Sequence, residues 1–154
     1  MTIPGATPTM KCIMVATDGS ESAGRAIDYA ALHANESGAE LLIVNVIGGY
    51  GLPGKLLEQF TGAQHAWLKE MFAALSSTTL AEARDRARRA TSAAIRLESR
   101  EGDVAATLLD IARERHAQLL IVGKRGAGRA AGLLLGSISQ KLVSLAPVPV
   151  TVVP

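Results

Sequence analysis

Apolar runs of strand length alternate along the chain with stripes at helical spacing. "CIMVAT" (12–17) is continuously apolar and ends in "DGS", the pattern of a buried strand entering a turn. Ser20 is placed to cap a helix whose inner face is Ala23, Ala26, Ile27, Ala30, Ala31 and Ala34, and Gly38 is placed to end it. "ELLIVNVI" (40–47) is a second strand, rich in β-branched residues. The glycine-rich "GGYGLPG" follows it. Residues 55–90 read as one or two helices, with a break expected near Ser76, Ser77 and Thr78.

"AAIRLES" (93–99) alternates as a strand does. Asp103 suits the cap of a helix facing inward through Ala105, Leu108, Ile111 and Ala112. "QLLIVG" (118–123) is another buried strand. Ser137 opens a last helix carrying Ile138, Leu142 and Leu145, and "VPVTVV" (148–153) is a final strand. Pro147 and Pro149 put that strand at an edge. Strands alternating with helices predict an α/β fold, a parallel sheet with helices on both faces. Ligands bind such sheets beyond the carboxyl ends of the strands. "TDGS" and the stretch "GKRGAGRAAGLLLGS" stand at two such ends.

Composition narrows the class. A chain of 154 residues, 48% hydrophobic and 19% charged, suits one domain with a sizeable core. Aromatics are 3%, so Val, Ile, Leu and Ala must build that core. The net charge of +2 is too small to argue for nucleic acid. Cys12 is the one cysteine, which excludes an internal disulfide framework and suits a reducing, cytoplasmic setting. Residues 1–10 read as a loose tail without a signal-peptide pattern, and no apolar run approaches the ~18 residues of a membrane span. Residues 11–154 form the domain, with 48–90 as a variable loop and helical insert.

Glycine recurs at Gly123, Gly126, Gly128, Gly132 and Gly136, between a buried strand and a helix start. A helix start offers unpaired N–H groups and partial positive charge, and glycines let the backbone approach a ligand. Ser137 adds a hydroxyl, while Lys124, Arg125 and Arg129 add charge. No carboxylate lies between Gly123 and Ser137. These features favour a phosphate; the alternative is a flexible loop with Gly136 as a helix entry residue. Asp18 suits a helix cap and a ligand contact equally.

The spacing Gly123-x2-Gly126-x9-Gly136-Ser137 resembles the nucleotide-binding motif of the universal stress protein family, in its ATP-binding branch. "KCIMVATDGSESAGRAIDYA", "AELLIVNVI", "REGDVAATLLDIARERHAQLLIVGKRG" and "GLLLGSISQKLVSLAPVPVTVV" extend the likeness over nearly the whole chain. The resemblance implies a Rossmann-like three-layer sandwich whose five parallel strands run in the order 3-2-1-4-5. It implies a homodimer paired through the last strand, residues 148–153. It also implies ATP, or another adenine nucleotide, as ligand. Ala16, Thr17 and Asp18 would then sit by adenine and ribose, and Val46 would meet adenine through its backbone. Gly123, Arg125 and Gly126, with Lys124 beside them, would line the ribose and α-phosphate. Gly136, Ser137 and Ile138 would hold the β- and γ-phosphates, on which Mg²⁺ or Mn²⁺ would ride. Asn45 stands where many members carry histidine.

Other signals point to structure. Gly49 to Lys55 satisfies G-x4-G-K, but Leu56 stands where a P-loop needs Ser or Thr. His33, His65 and His116 fall on separate predicted helices and make neither a metal site nor a triad. Arg84, Arg86, Arg88 and Arg89 read as a solvated helix face. Phe60, Trp67 and Phe72 cover the sheet or mark a surface for a protein partner. Three functions remain: a nucleotide-controlled stress or signalling module, a nucleotide-free scaffold, and a slow ATPase or phosphotransferase. The last lacks an HxGH pair, an SGGxDS loop and any carboxylate in the glycine stretch.

Overall fold

The computed structural model describes residues 10–125 and 135–154. Five strands, β1 (Cys12–Ala16), β2 (Glu40–Ile47), β3 (Ile95–Glu101), β4 (Leu119–Gly123) and β5 (Val150–Val153), form one sheet in the order β3-β2-β1-β4-β5. Every pairing is parallel. The five helices are α1 (Glu21–Ser37), α2 (Gly54–Leu57), α3 (Gly62–Ala87), α4 (Val104–Glu114) and α5 (Ser137–Leu145). The three-layer, doubly wound architecture read from the sequence is therefore correct.

Side-chain alternation along the strands divides the core in two. Ile13, Val15, Leu41, Ile43 and Ile121 face α1 and α3, where they meet Ala26, Ile27, Ala30, Leu80 and Ala83. Met14, Leu42, Val44, Leu120 and Val122 face α4 and α5, where they meet Leu108, Ile111, Ala112 and Leu142. With both faces covered, the central strands must be apolar at every position. This explains the unbroken runs. The alanines and Gly24 of α1 are all buried, so the helix lies close on β1 and β4.

Ser20 Oγ caps α1 by accepting from Ala23 N at 3.2 Å, and Gly38 ends it at φ 69°. Asp103 Oδ1 caps α4 by accepting from Ala106 N at 2.9 Å. The break expected near Ser76–Thr78 is absent. α3 runs unbroken for 26 residues from a capping box, in which Thr61 and Gln64 satisfy each other's backbone N–H. Thr78 stays helical because its hydroxyl donates to the Ala74 carbonyl at 3.2 Å. Ser76 stays because it is buried against the sheet. α3 is thus the crossover that carries the chain from β2 to β3.

The "GGYGLPG" stretch is a loop, with Gly49 at φ 125° and Gly51 at φ 69°, followed by the single turn of α2. It makes no P-loop. On α5, Leu142 is fully buried and Ile138 partly so, but Leu145 is 63% exposed, because the last turn runs past the core. β5 is an edge strand, as its prolines indicate.

Candidate functional site

The carboxyl ends of β1, β2 and β4 lie side by side, and the chain changes direction there. β1 pairs with β2 on one side and with β4 on the other, and from it the sheet is wound both ways. A crevice opens at such a switch point. The predicted residues converge on it: Ala16, Thr17 and Asp18 at the end of β1, Val46 near the end of β2, Gly123, Lys124 and Arg125 at the end of β4, and Gly136, Ser137 and Ile138 at the start of α5. Gly126 lies outside the described residues.

The first wall is the end of β1. Thr17 donates its backbone N–H to the Val44 carbonyl at 2.8 Å, the last rung between β1 and β2. Its hydroxyl oxygen accepts from Gly19 N at 3.2 Å, and Gly19 takes φ 80°, which turns the chain into α1. Asp18 Oδ1 accepts from Ser20 N at 2.9 Å in an Asx turn. The cap of α1 is Ser20, so Asp18 shapes the exposed turn in front of the helix.

β2 continues beyond β1. Because the Val44 carbonyl points to β1, alternation aims the peptide groups of Val46 the same way, past the point where β1 has turned off. Its side chain packs on the opposite face, against the core beneath α4. Backbone recognition at Val46 is therefore geometrically open.

The second wall is the end of β4 and the start of α5. Lys124 N donates to the Val153 carbonyl at 2.7 Å, and the Lys124 carbonyl accepts from Gly136 N at 2.9 Å. The chain thus leaves the sheet at Lys124 and returns to the same point at Gly136. Ser139, which the sequence reading passed over, fastens this junction: its buried hydroxyl donates to the Gly123 carbonyl at 2.9 Å. Its signal was present as the third residue of a helix that starts over a glycine. Gly123 itself must be glycine for packing. A Cβ there would lie 2.6 Å from Ser22 Oγ and 2.8 Å from the Ser22 carbonyl carbon, so the first turn of α1 crosses directly over it.

The helix starts differ in one respect. α1, α3 and α4 each satisfy a first-turn N–H with a capping side chain, from Ser20, Thr61 and Asp103. α5 begins on Gly136, which has no side chain to offer, and no side-chain cap bond forms there. Ser137 is exposed at its first position. Among the described residues no side chain caps the start of α5, and a helix start of this kind offers its donors and partial positive charge to an anion.

A hollow of about 220 Å³ lies between α1 and α3 and reaches the β1–α1 turn at Thr17, Gly19 and Ser20, with Thr79, Arg86 and Arg89 among its other lining residues. Arg86 chelates Asp28 with bonds of 2.7 and 2.6 Å. The hydrogen bonds from Arg86 are the main reason the Asp28 carboxyl titrates below the usual range. Arg86 also lies over Gly24, where a Cβ would meet its guanidinium at 2.4 Å. Arg86 therefore ties α3 to α1 through an ion pair on the solvated helix face that the sequence suggested. His33 lies on α1 and His65 on α3, as expected, but His116 lies past the end of α4 at φ 52° and not on a helix.

A parallel sheet wound both ways from β1 with helices on both faces is a Rossmann-like α/β fold. Residues 10–154 match the model of the Universal stress protein family, and the chain belongs to that family. It is 35% identical over 143 residues to a universal stress protein of Thermus aquaticus, encoded in the 3′ region of a QAH/OAS sulfhydrylase, covering 93% of this chain and 98% of the relative. It is 27% identical over 143 residues to the universal stress protein YxiE of Bacillus subtilis, covering 92% and 97%. Among solved structures, it resembles a universal stress protein in complex with cAMP, at TM-score 0.71 and 29% identity over 94% of this chain and 97% of that one. A family member from Burkholderia pseudomallei is similar at TM-score 0.68 and 30% identity, covering 98% and 99%.

Proposed function

We propose that this chain is an adenine-nucleotide-binding module, with ATP as its ligand, in which occupancy of the crevice controls conformation, self-association or partner binding. The observation that carries this reading is the uncapped start of α5 beside the β4 end, where Gly136 and Ser137 offer backbone N–H groups to a phosphate. Lys124 and Arg125 add positive charge, and Asp18 and the Val46 backbone stand where a ribose and a base would lie. The similarity to a universal stress protein in complex with cAMP supports an adenine ligand. Mg²⁺ or Mn²⁺ would be carried on the phosphate oxygens, since magnesium keeps phosphate and water ligands and needs no protein cage. Ligand linkage, and not phosphate transfer, is the physical output: at a hundredfold excess over Kd, ATP stabilises the bound state by about 2.7 kcal/mol.

The test is thermal. ATP with Mg²⁺ at that excess is expected to raise Tm by roughly 5–10 °C, and Gly136→Val to abolish the rise. Gly136 sits at φ −60°, ψ 157°, which valine adopts without strain, so loss of the shift reports a blocked approach and not misfolding. An undiminished shift in the variant rejects the site. Turnover well above background that vanishes in both Ser137→Ala and Asp18→Asn would favour an enzyme instead.

A second reading, a partner-recruiting scaffold, is favoured by α3, on which Trp67 is 63% and Leu75 55% exposed. It requires no nucleotide, so heat-denaturing the purified protein and finding the supernatant free of ATP and AMP would select it.

A further inference from the structure

The turn between β1 and α1 is held by a chain of side chains that begins on α3. Asn45 and Ser99 are register partners on β2 and β3, and Ser76 of α3 lies over the pair. Asn45 Nδ2 donates to the Thr17 carbonyl at 2.7 Å, Ser76 Oγ lies 2.6 Å from Asn45 Oδ1, and Ser76 and Ser99 hydroxyls lie 2.7 Å apart. Proton counting fixes the direction. The Thr17 carbonyl only accepts, so the amide nitrogen must face it and the amide oxygen must face Ser76. Ser76 spends its one proton on Asn45, so Ser99 must donate to Ser76. The relay runs Ser99 to Ser76 to Asn45 to Thr17, and it replaces the ladder bond that β1 would have made had it continued.

We propose that Asn45, oriented by Ser76 and Ser99, is a positioning residue for the nucleotide crevice, holding the end of β1 at the angle that presents Asp18. This rests on the nucleotide reading above. Thr17 is 6% exposed with both backbone polar groups taken, one by Val44 and one by Asn45. Its orientation, and that of the turn from Asp18 to Ser20, is thereby set from β2. Ser76 is 3% exposed and in mid-helix, so α3 must be docked for the relay to close.

Asn45→Asp tests this with almost no change of shape. An ionised carboxylate sets two acceptors against each other at the Thr17 carbonyl, whereas a protonated one donates to it and still accepts from Ser76. ATP with Mg²⁺ is expected to bind the variant roughly tenfold more weakly than wild type at pH 8 and nearly as well at pH 5. Asn45→Ala binds weakly at both, and Ser76→Ala lies between. Titratable groups on the packed elements (Asp18, Tyr50, Lys69, Glu82, Glu98 and Glu101) are common to all the proteins, so the wild-type profile subtracts them. A purely structural role would lower Tm without restoring affinity at pH 5. In parallel, the amide resonances of Gly19 and Ser20, recorded without nucleotide, should show in Asn45→Asp a titration step additional to the one that Asp18 gives in every protein. Wild-type affinity of Asn45→Asp at pH 8 overturns the proposal. If wild type binds no ATP, the nucleotide reading fails, and the amide titration alone decides whether the relay holds β1.

Discussion

Gly123 illustrates how one residue serves packing and site at once. Its missing Cβ lets the first turn of α1 cross β4, and that crossing brings the end of β1 and the start of α5 to one crevice. Gly123→Ala forces backbone atoms of Ser22 to move, so we expect a loss of about 1–3 kcal/mol, read as a fall in Tm of roughly 2–4 °C for each kcal/mol. Asp103→Ala is a different kind of loss. It removes an exposed cap without disturbing packing and should cost about 1 kcal/mol, measured by urea denaturation with an unchanged m-value. The sequence offered Gly123 only as a candidate for approach to a ligand, and its contact with Ser22 was not legible, since nothing near either residue announces the other.

At the scale of elements, β3 needs a defence that the inner strands do not. It is the other edge strand, and its residues are half-buried or exposed, none fully buried. Glu98 accepts from Arg115 at 2.9 Å and also from Arg100, which bonds Glu114 at 2.8 Å. The cluster clamps the β3 edge to α4. Burial works against the ionised form of Glu98, but the hydrogen bonds from Arg115 and Arg100 outweigh it, and its carboxyl titrates below the usual glutamate range. A carboxyl depressed in the folded state adds stability above its unfolded pKa and loses it as the pH falls through the folded one. Chemical denaturation from pH 6 to pH 3 should therefore show a steeper acid loss in wild type than in Glu98→Gln. α3 teaches the converse lesson. Its Ser-Ser-Thr segment looks like a helix break because such residues compete for backbone hydrogen bonds, yet here one hydroxyl bonds within the helix and another reaches the sheet.

The outer edge of β5 pairs with no other strand among the described residues. Val153 and Pro149 accept from β4, so the alternating residues Val150 and Val152 aim their peptide groups outward from β5. An apolar edge of this kind invites a second copy, and we expect a homodimer through 148–153. Val152→Pro deletes an outward N–H while sparing the bonds to β4. Sedimentation at micromolar concentration should then change from dimer to monomer; a monomeric wild type would remove the expectation. Among the described residues no helix is long and apolar enough to cross a membrane.

The sequence by itself determined the order of elements, the caps at Ser20 and Asp103, the buried faces of α1 and α4, and the end of the sheet at which a ligand would sit. These are written in neighbouring residues, because helix and strand periods and capping bonds span only a few positions of chain. Only the tertiary structure decided that Ser76 belongs to Asn45, 31 residues away, that Arg86 lies on Gly24, and that Gly123 yields to Ser22. Each of these pairs is chosen by how packed layers meet in space, and a one-dimensional pattern holds no record of that meeting.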